Sequence, residues 1–426
     1  MGTSYEDIKL RRARVFVEPA GAATFAVNDT GTASDFADVP LIEGSIQPKR
    51  DQQHLNPASI QQYMDGRESE VLGIKSCSLT FAALLASHGL DLDGTTTAAN
   101  CPVLSGTGLV WPLARVLATI MGGYNVEAGG LGAQTKAVSG ISTTGCTVTA
   151  GHGVRFKPGS PIAFPNPTTN LYEVVPVKTV STDTLTFKQA LTFSPATNAV
   201  ARTGPTFYIT EDPQTSLQLW IEGNHDYDKY VYLGLQGGFS LDTPTAGFPK
   251  LTFNLKGPNW TKLSNTSLAA ASFLRFSPSA MYDSVCRVST VGSTTTTNVP
   301  HAGITFKPNL VYGDVTTPAG VQTVLRHRRL RQDRALDVSI ETYWDNTYDW
   351  DTAHDSRLQL CVTQQIGSAA PGSILFIEAP TVQVQPPQEK AQNNLAGRTI
   401  SAVGRLDQEI GQSTELNRSV LRISCI

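Results

Sequence analysis

Along the chain, short apolar runs of Val, Ile, Leu, Phe and Tyr recur between clusters of Gly, Pro, Asn and Asp, a spacing that predicts the strands of sandwiches or barrels. The clearest runs cover residues 14–17, 39–46, 72–81, 218–222, 230–235, 250–255, 336–343, 359–363, 373–378, 398–404 and 420–426. Within residues 251–255 and 338–343 the positions tend to alternate apolar and polar, so one face is buried and the other meets solvent or a neighbour. One segment has a different period. Between Trp111 and Gly123, Leu113, Val116, Leu117, Ile120 and Met121 recur at helical spacing. Pro112 suits a first turn and Gly122-Gly123 a stop, which predicts a helix packed on a sheet. Residues 57–64, short and mostly polar, predict a surface turn of helix.

From residue 137 to 201 Thr, Val and Phe positions crowd between turn signals such as Pro158-Gly159-Ser160-Pro161 and Asp183-Thr184, predicting a small all-β insert of about four or five strands. Without it, residues 1–136 run on into 202–262. A faint repeat follows: Ser216-Leu217-Gln218-Leu219-Trp220-Ile221 is echoed by Arg357-Leu358-Gln359-Leu360-Cys361-Val362, each with further apolar strands behind it. The expected fold class is therefore mainly β, with two tandem β-sandwich domains, little helix and the insert. The first sandwich covers 1–136 and 202–262, a linker 263–271, and the second 272–426 with a C-terminal strand or arm.

Charge adds little pull toward any partner: Lys+Arg 33 against Asp+Glu 36 leaves a net charge of -3, too balanced to draw the chain onto DNA or an acidic membrane. Charged residues are only 16%, below the roughly 25% of ordinary domains. With Gly 36 and Pro 25, that suggests a turn-rich β-protein whose surface is covered by other subunits. Cysteines 77, 101, 146, 286, 361 and 425 form no CxxC spacing, which speaks against zinc and disulfides. The N-terminus lacks an apolar signal core and no stretch is long and apolar enough to span a membrane, so synthesis in a reducing cytosol is expected.

Candidate chemistry is thin. Histidines form neither HxxxH nor HExxH, and His225 and His354, each beside an Asp, fit polar loops. Gly129 to Lys136 lacks the ending of a phosphate-binding loop and follows a helix instead of preceding one. The acidic run with Asp345, Asp349 and Asp351 has alternating oxygens but neither the central Gly nor the terminal Glu of a calcium loop. No cofactor or metal is expected. A basic run carries Arg326, Arg328, Arg329 and Arg331. It lacks the interleaved aromatics of a nucleic-acid patch, and reads either as a solvated face or as a partner for the acidic run of a second subunit. Tyr343, Trp344, Tyr348 and Trp350 could stack on sugar rings, or serve as core or interface anchors.

Tyr230 to Leu241, with Gly237-Gly238-Phe239-Ser240-Leu241, followed by Pro249-Lys250-Leu251-Thr252-Phe253-Asn254-Leu255-Lys256-Gly257, resembles the tail tube proteins of long, non-contractile-tailed bacteriophages (siphophages). Residues 377–384 and 398–405 give a looser version without the Gly-Gly-Phe step. The resemblance implies a β-sandwich with one flanking helix, sheets joined edge to edge around a ring, and rings stacked into a hollow tube in the virion tail. Through that tube genomic double-stranded DNA passes as transient cargo into the host. It further implies contacts with tape measure, terminator and distal tail proteins, and stacked rings, trimeric ones of tandem domains that mimic sixfold symmetry being favoured over hexameric. With no apolar span and no catalytic motif, neither membrane binding nor enzymatic activity is expected. The insert would sit on the tube's outside. Gly237, Gly238, Phe239, Leu251, Phe253 and Leu255 are then the sheet-edge motif, and residues 251–255 and 336–343 the open edges left for polymerisation. The lumen should be neutral or acidic, so that the basic run faces a ring interface or the exterior. The rival reading is a β-rich virion surface or adhesion module that binds host carbohydrate.

Overall fold

The computed structural model describes residues 14–21, 37–39, 41–42, 45–55, 71–87, 112–125, 134–211, 215–222, 229–244, 247–257, 259–263, 283–317, 326–343, 347–392, 395–410 and 414–426. The chain opens with β1 (Arg14–Gly21), β2 (Ala37–Val39), β3 (Gln47–Leu55), β4 (Val71–Leu84), α1 (Pro112–Met121) and β5 (Gly122–Asn125). The insert holds β6 (Gln134–Ser142), β7 (Gly145–Val148), β8 (Pro161–Pro165), β9 (Tyr172–Ser181), β10 (Thr184–Phe187) and β11 (Val200–Arg202). Next come β12 (Thr206–Ile209), β13 (Thr215–Glu222), β14 (Lys229–Pro244), β15 (Lys250–Gly257) and β16 (Asn259–Leu263). The last part contains β17 (Ser284–Thr290), β18 (Thr297–Val299), β19 (Gly303–Thr317), β20 (Arg326–Tyr343), α2 (Trp350–Asp355) and β21 (Gln359–Ile366). It ends with β22 (Leu375–Val384), β23 (Gln388–Gln392), β24 (Leu395–Arg405), α3 (Glu415–Arg418) and β25 (Arg422–Cys425). The protein is mainly β, and every described strand pairing is antiparallel.

The helix lies where its apolar stripe predicts it. Leu113, Val116, Leu117, Ile120 and Met121 are all buried in the core, and α1 stops where Gly122 takes φ 90°, a left-handed conformation that glycine adopts without steric cost.

Strand pairing repeats itself along the chain. In the first repeat β1 pairs with β2 and β13, β13 with β14, β14 with β15 and β16, β15 with β4, and β4 with β3. In the second, β17 pairs with β18 and β21, β21 with β22, β22 with β24 and β25, β24 with β20, and β20 with β19. A helix follows the β3–β4 hairpin in one repeat and the β19–β20 hairpin in the other. Register agrees as well as order. Val15 faces Val39 as Cys286 faces Val299, and Gly257 faces Cys77 as Gly404 faces Leu336. Bulges fall between Leu217 and Leu219 in one repeat and between Leu360 and Val362 in the other. These matches correct the alignment implied by the sequence echo: Leu217 corresponds to Leu360, two residues beyond Leu358. Short echoes slide easily between strands, whereas a bulge fixes register.

The repeats share one hydrogen-bonded network. Leu241–Pro244 at the end of β14 pair with Phe306–Gly303 at the start of β19. A single apolar core runs through both, with Phe81, Phe253 and Leu255 from the first and Val338, Ile340 and Ile400 from the second. Beyond the sheet, residues 310–317 and 326–334 continue as a ribbon whose strand pairing, among the described residues, is only with each other, about 25 Å long at strand rise, and whose Tyr312 hydroxyl donates to Gly237 O at 3.3 Å.

The insert closes into a six-stranded barrel in the order β10, β7, β6, β11, β8, β9, with its own core of Val148, Ile162, Phe164, Val175, Leu185 and Phe187. It interrupts the first repeat in sequence but docks on the second. Val174 N donates to Gln365 Oε1 at 2.9 Å, Thr363 Oγ1 to Gln189 Oε1 at 2.8 Å, and Tyr172 N to Ser368 O at 2.7 Å. Ala163 and Val174 pack on Ile374, Phe376 and Ile426. One side of the insert is thus buried against the second repeat.

Other expectations also change. Residues 251–255 and 336–343 are interior strands, since β15 lies between β14 and β4, and residues 336–343 of β20 lie between β19 and β24. Alternation reports a buried face and is silent on how many hydrogen-bonded neighbours a strand has. Of the described residues among 39–46, only Val39 belongs to a strand, with Leu41 making one bridge to Ala83. The helix expected over 57–64 and the linker 263–271, apart from Leu263 at the end of β16, lie outside the described residues.

Candidate assembly interface

The strands that carry the tail-tube resemblance come together. Gly237, Gly238 and Phe239 on β14 face Leu255, Asn254 and Phe253 on β15, and Leu241 faces Leu251. Leu251, Phe253 and Leu255 are buried while Lys250, Asn254 and Lys256 are exposed, so the motif supplies half of a core. The Phe239 and Phe253 rings lie 6.1 Å apart, and Phe253 meets Phe81 of β4 at 4.9 Å. Gly237 is required by close approach: an added Cβ would collide with the Asn254 carbonyl oxygen and lie 2.9 Å from Leu255 Cα. At Gly238 the same addition meets only Pro308 O, at 3.4 Å. These residues are therefore a structural motif inside the sheet, and the sheet-edge role expected of them is corrected.

Just beyond the motif lies the joint between the repeats. Thr305 Oγ1 donates to Asp242 Oδ1 at 3.0 Å. The buried Thr243 hydroxyl lies 2.8 Å from Ile304 O and 3.1 Å from Gln364 Oε1, and Gln364 Nε2 donates to Ser284 Oγ at 3.1 Å. Leu241, Ile304 and Phe306 close the apolar side. The joint is thus an edge-to-edge strand pairing with side-chain hydrogen bonds on top of it. Sequence reading missed β19 entirely, because Gly303-Ile304-Thr305-Phe306-Lys307-Pro308 is short on apolar positions and carries a Pro.

The basic and acidic runs are not brought together by what is described. Arg326, Arg328, Arg329 and Arg331 belong to the β19–β20 ribbon. Asp345 and Trp344 lie outside the described residues. Asp349 caps α2, accepting from Thr352 N at 2.9 Å and Thr352 Oγ1 at 2.7 Å; these bonds hold its carboxyl below the usual range. Asp351 accepts from Arg398 Nη1 at 2.7 Å. Both acidic residues therefore have partners within the chain. Of the aromatic candidates, Trp350 is buried at 4% exposure and the Tyr348 ring lies tilted against it, with centroids 4.6 Å apart. Burial, with the Asp349 charge, raises the Tyr348 hydroxyl pKa.

The strongest electrostatic feature was invisible in the sequence. Between barrel and second repeat, Lys188, Glu378, Asp407 and Arg422 are all buried. Lys188 Nζ binds Glu378 Oε1 at 2.9 Å and also Asp407. Arg422 reaches Glu378 Oε2 at 2.9 Å and Asp407 Oδ2 at 2.8 Å, and donates to Leu416 O. Burial works against each charge. For Asp407 the Arg422 and Lys188 charges outweigh it and lower the pKa, and for Lys188 the carboxylates of Glu378 and Asp407 outweigh it and raise the pKa. The four residues are spread from 188 to 422, so no local pattern marks them.

Chemistry elsewhere is quiet. Burial pushes the Cys146 and Cys286 thiols up to about 12, so both stay protonated at neutral pH. Among the described residues, no group of three or more His, Cys, Asp or Glu is placed to hold a metal, and no helix is long and apolar enough to cross a membrane.

Comparison with known proteins adds little. No protein family's sequence profile matches the chain, and no curated protein does. Among solved structures, the cryo-EM structure of the anti-feeding prophage (AFP) baseplate, 6-fold symmetrised, contains a chain similar to this one with a TM-score of 0.25 and 10% identity. The alignment covers 30% of this chain and 92% of that one. So weak a likeness carries no argument about function.

Proposed function

We propose that the chain is a structural, non-enzymatic subunit of a bacteriophage tail tube, polymerising as stacked rings into a hollow conduit for genome ejection. The observation that carries this reading is the repeated pairing scheme, in which two equivalent units are joined edge to edge through β14 and β19. A unit that joins its own copy within one chain has the geometry to join further copies head to tail. With two repeats per chain, three copies give a ring of pseudo-sixfold symmetry. The first strand of the motif that resembles siphophage tube proteins, β14, is the strand that makes this joint.

In this reading the β19–β20 ribbon reaches a neighbouring ring, and its basic residues sit at that interface or outside, away from DNA that must slide past a neutral or acidic wall. Partners are further copies, the tape measure, terminator and distal tail proteins, and double-stranded DNA as transient cargo in the lumen. The protein is made in the bacterial cytoplasm and works in the virion, with no membrane contact. The carbohydrate-binding alternative has less support, because Trp350 is core. Negative-stain electron microscopy over a concentration series, with light scattering to count subunits, tests the assignment. Hollow tubes or three-copy rings are expected, and Arg328→Glu with Arg329→Glu should impair stacking while the subunit stays folded. A chain that is monomeric at every concentration and binds glycans counts against it.

A further inference from the structure

We infer that β23 of one copy pairs with the outer edge of β3 of a second copy, in the register that β14 and β19 use within the chain. The inference rests on the tube-subunit reading and specifies its contact. In the first repeat the end of β14 has two neighbours, β15 and β19. Its counterpart in the second repeat is β23, which continues β22 past Pro386-Pro387. Among the described residues β23 pairs only with β24. The counterpart of β19 is β3, which pairs only with β4 among the described residues. The fold therefore holds one completed joint and the two separated halves of a second, one on each repeat.

Register follows from the shared neighbours. Leu241 faces Leu251 of β15, whose counterpart Arg398 faces Glu389. Phe306 faces Val338 of β20, whose counterpart Leu79 faces Pro48. Since Leu241 faces Phe306 and Asp242 faces Thr305, Glu389 should face Pro48 and Lys390 should face Gln47 across copies. Ala391 and Ile46 follow. Ile46 is buried like its counterpart Ile304, so the β3 edge is already seated on the core and needs no rearrangement to accept a strand.

The chemistry of the edges suits a controlled contact. Gln47, Gln388, Glu389 and Lys390 are exposed, and charge on an open edge discourages random pairing. Where Asp242 accepts from Thr305 in the internal joint, Lys390 can donate to the Gln47 amide oxygen. The Glu341 pair that Lys390 makes at 2.7 Å is exposed, so it resists exchange weakly. Each copy offers one β23 and one β3, so the contact is head to tail and extends until it closes.

Two single variants, Gln47→Cys and Lys390→Cys, test the inference because opposed strand residues lie within disulfide reach and residues two positions away do not. After mild oxidation of the mixed variants, a band at twice the chain mass should appear on non-reducing gels and be absent from either variant alone. Lys49→Cys mixed with Lys390→Cys should give none. The double variant Gln47→Cys/Lys390→Cys should cross-link up to the closed ring and no further. Rings or tubes by electron microscopy without the cross-link would overturn this joint and leave the tube reading standing. A folded monomer at every concentration, with no cross-link, would overturn both.

Discussion

The two repeats use one pairing scheme but close it differently. In the first, β14 runs unbroken from Lys229 to Pro244 and passes from β13 to β15 and then β19. In the second, the same course is split at Gln385-Pro386-Pro387 into β22 and β23. Proline cannot donate to a ladder, so the strand breaks where the first repeat has Gly238-Phe239. A second contrast lies deeper. Glu378 on β22 belongs to the buried charge quartet, while the corresponding position on β14 is Val231, an uncharged buried side chain. Equal topology therefore rests on unequal side chains: apolar packing and a required glycine in one repeat, and buried charge with a docked barrel in the other.

The largest effect is expected from breaking the quartet. Arg422→Met leaves two buried carboxylates with Lys188 alone and strips donors from the Leu416 carbonyl, which should cost about 3–5 kcal/mol. Denaturant unfolding reads the loss, and Val231→Ala in the first repeat, lacking any charge to strand, should cost less, about 2 kcal/mol. The quartet also gives the second repeat a pH dependence. Asp407 has a lowered pKa in the fold, so its contribution is present above the ordinary carboxylate pKa and is lost as pH falls through the lower folded value. Lys188 has a raised pKa, so its contribution is present below the ordinary lysine pKa and fades as pH rises through the higher folded value. Docking of the barrel, followed by hydrogen exchange at β9 and β21, should weaken at the acid end before the first repeat loosens.

Next in size is the glycine contrast inside the motif. Gly237→Ala should cost about 3 kcal/mol, because its Cβ meets backbone that cannot swing away. Gly238→Ala should stay within about 0.5 kcal/mol, since one ordinary contact awaits it. If the two cost the same, the close approach of β14 and β15 is not what selects glycine. The smallest effect concerns the joint. Thr243→Val keeps shape but removes the hydroxyl beside Ile304 O and Gln364 Oε1, at about 1–2 kcal/mol. A drop in thermal midpoint with both repeats still melting together would confirm that the pairing, more than this hydrogen bond, couples them.

Reading the sequence recovered many of the strands that bury one face, though not β19, whose Ile304 and Phe306 are buried, and it missed strands that bury neither. β15 shows alternation because Leu251, Phe253 and Leu255 point into the core. β3, with Gln47-Pro48-Lys49-Arg50-Asp51-Gln52-Gln53-His54-Leu55, and β23, with Gln388-Glu389-Lys390-Ala391-Gln392, carry no such pattern. They are held by backbone hydrogen bonds at the sheet's margin, where no alternation is imposed. The same logic explains the mistaken edges: an interior strand with one wet face and an edge strand with one wet face look alike in sequence. The helix was legible because its stripe packs on apolar core, and the insert because its turns are dense in Gly, Pro and Asp.

By itself, then, the sequence determined the local material: strand-forming runs, one helix and its stop, an all-β insert, and the glycine-bearing motif of β14 and β15. These follow from period, propensity and turn chemistry, which act over a few residues. Only the tertiary structure decided that the halves match in register, that β14 and β19 join them, that the barrel settles on the repeat it does not interrupt, and that charges from 188 to 422 meet in one buried cluster. Those outcomes depend on which distant surfaces come into contact. The free energy of such contact, in burial, hydrogen bonding and ion pairing across long separations, is written in no single stretch of the chain.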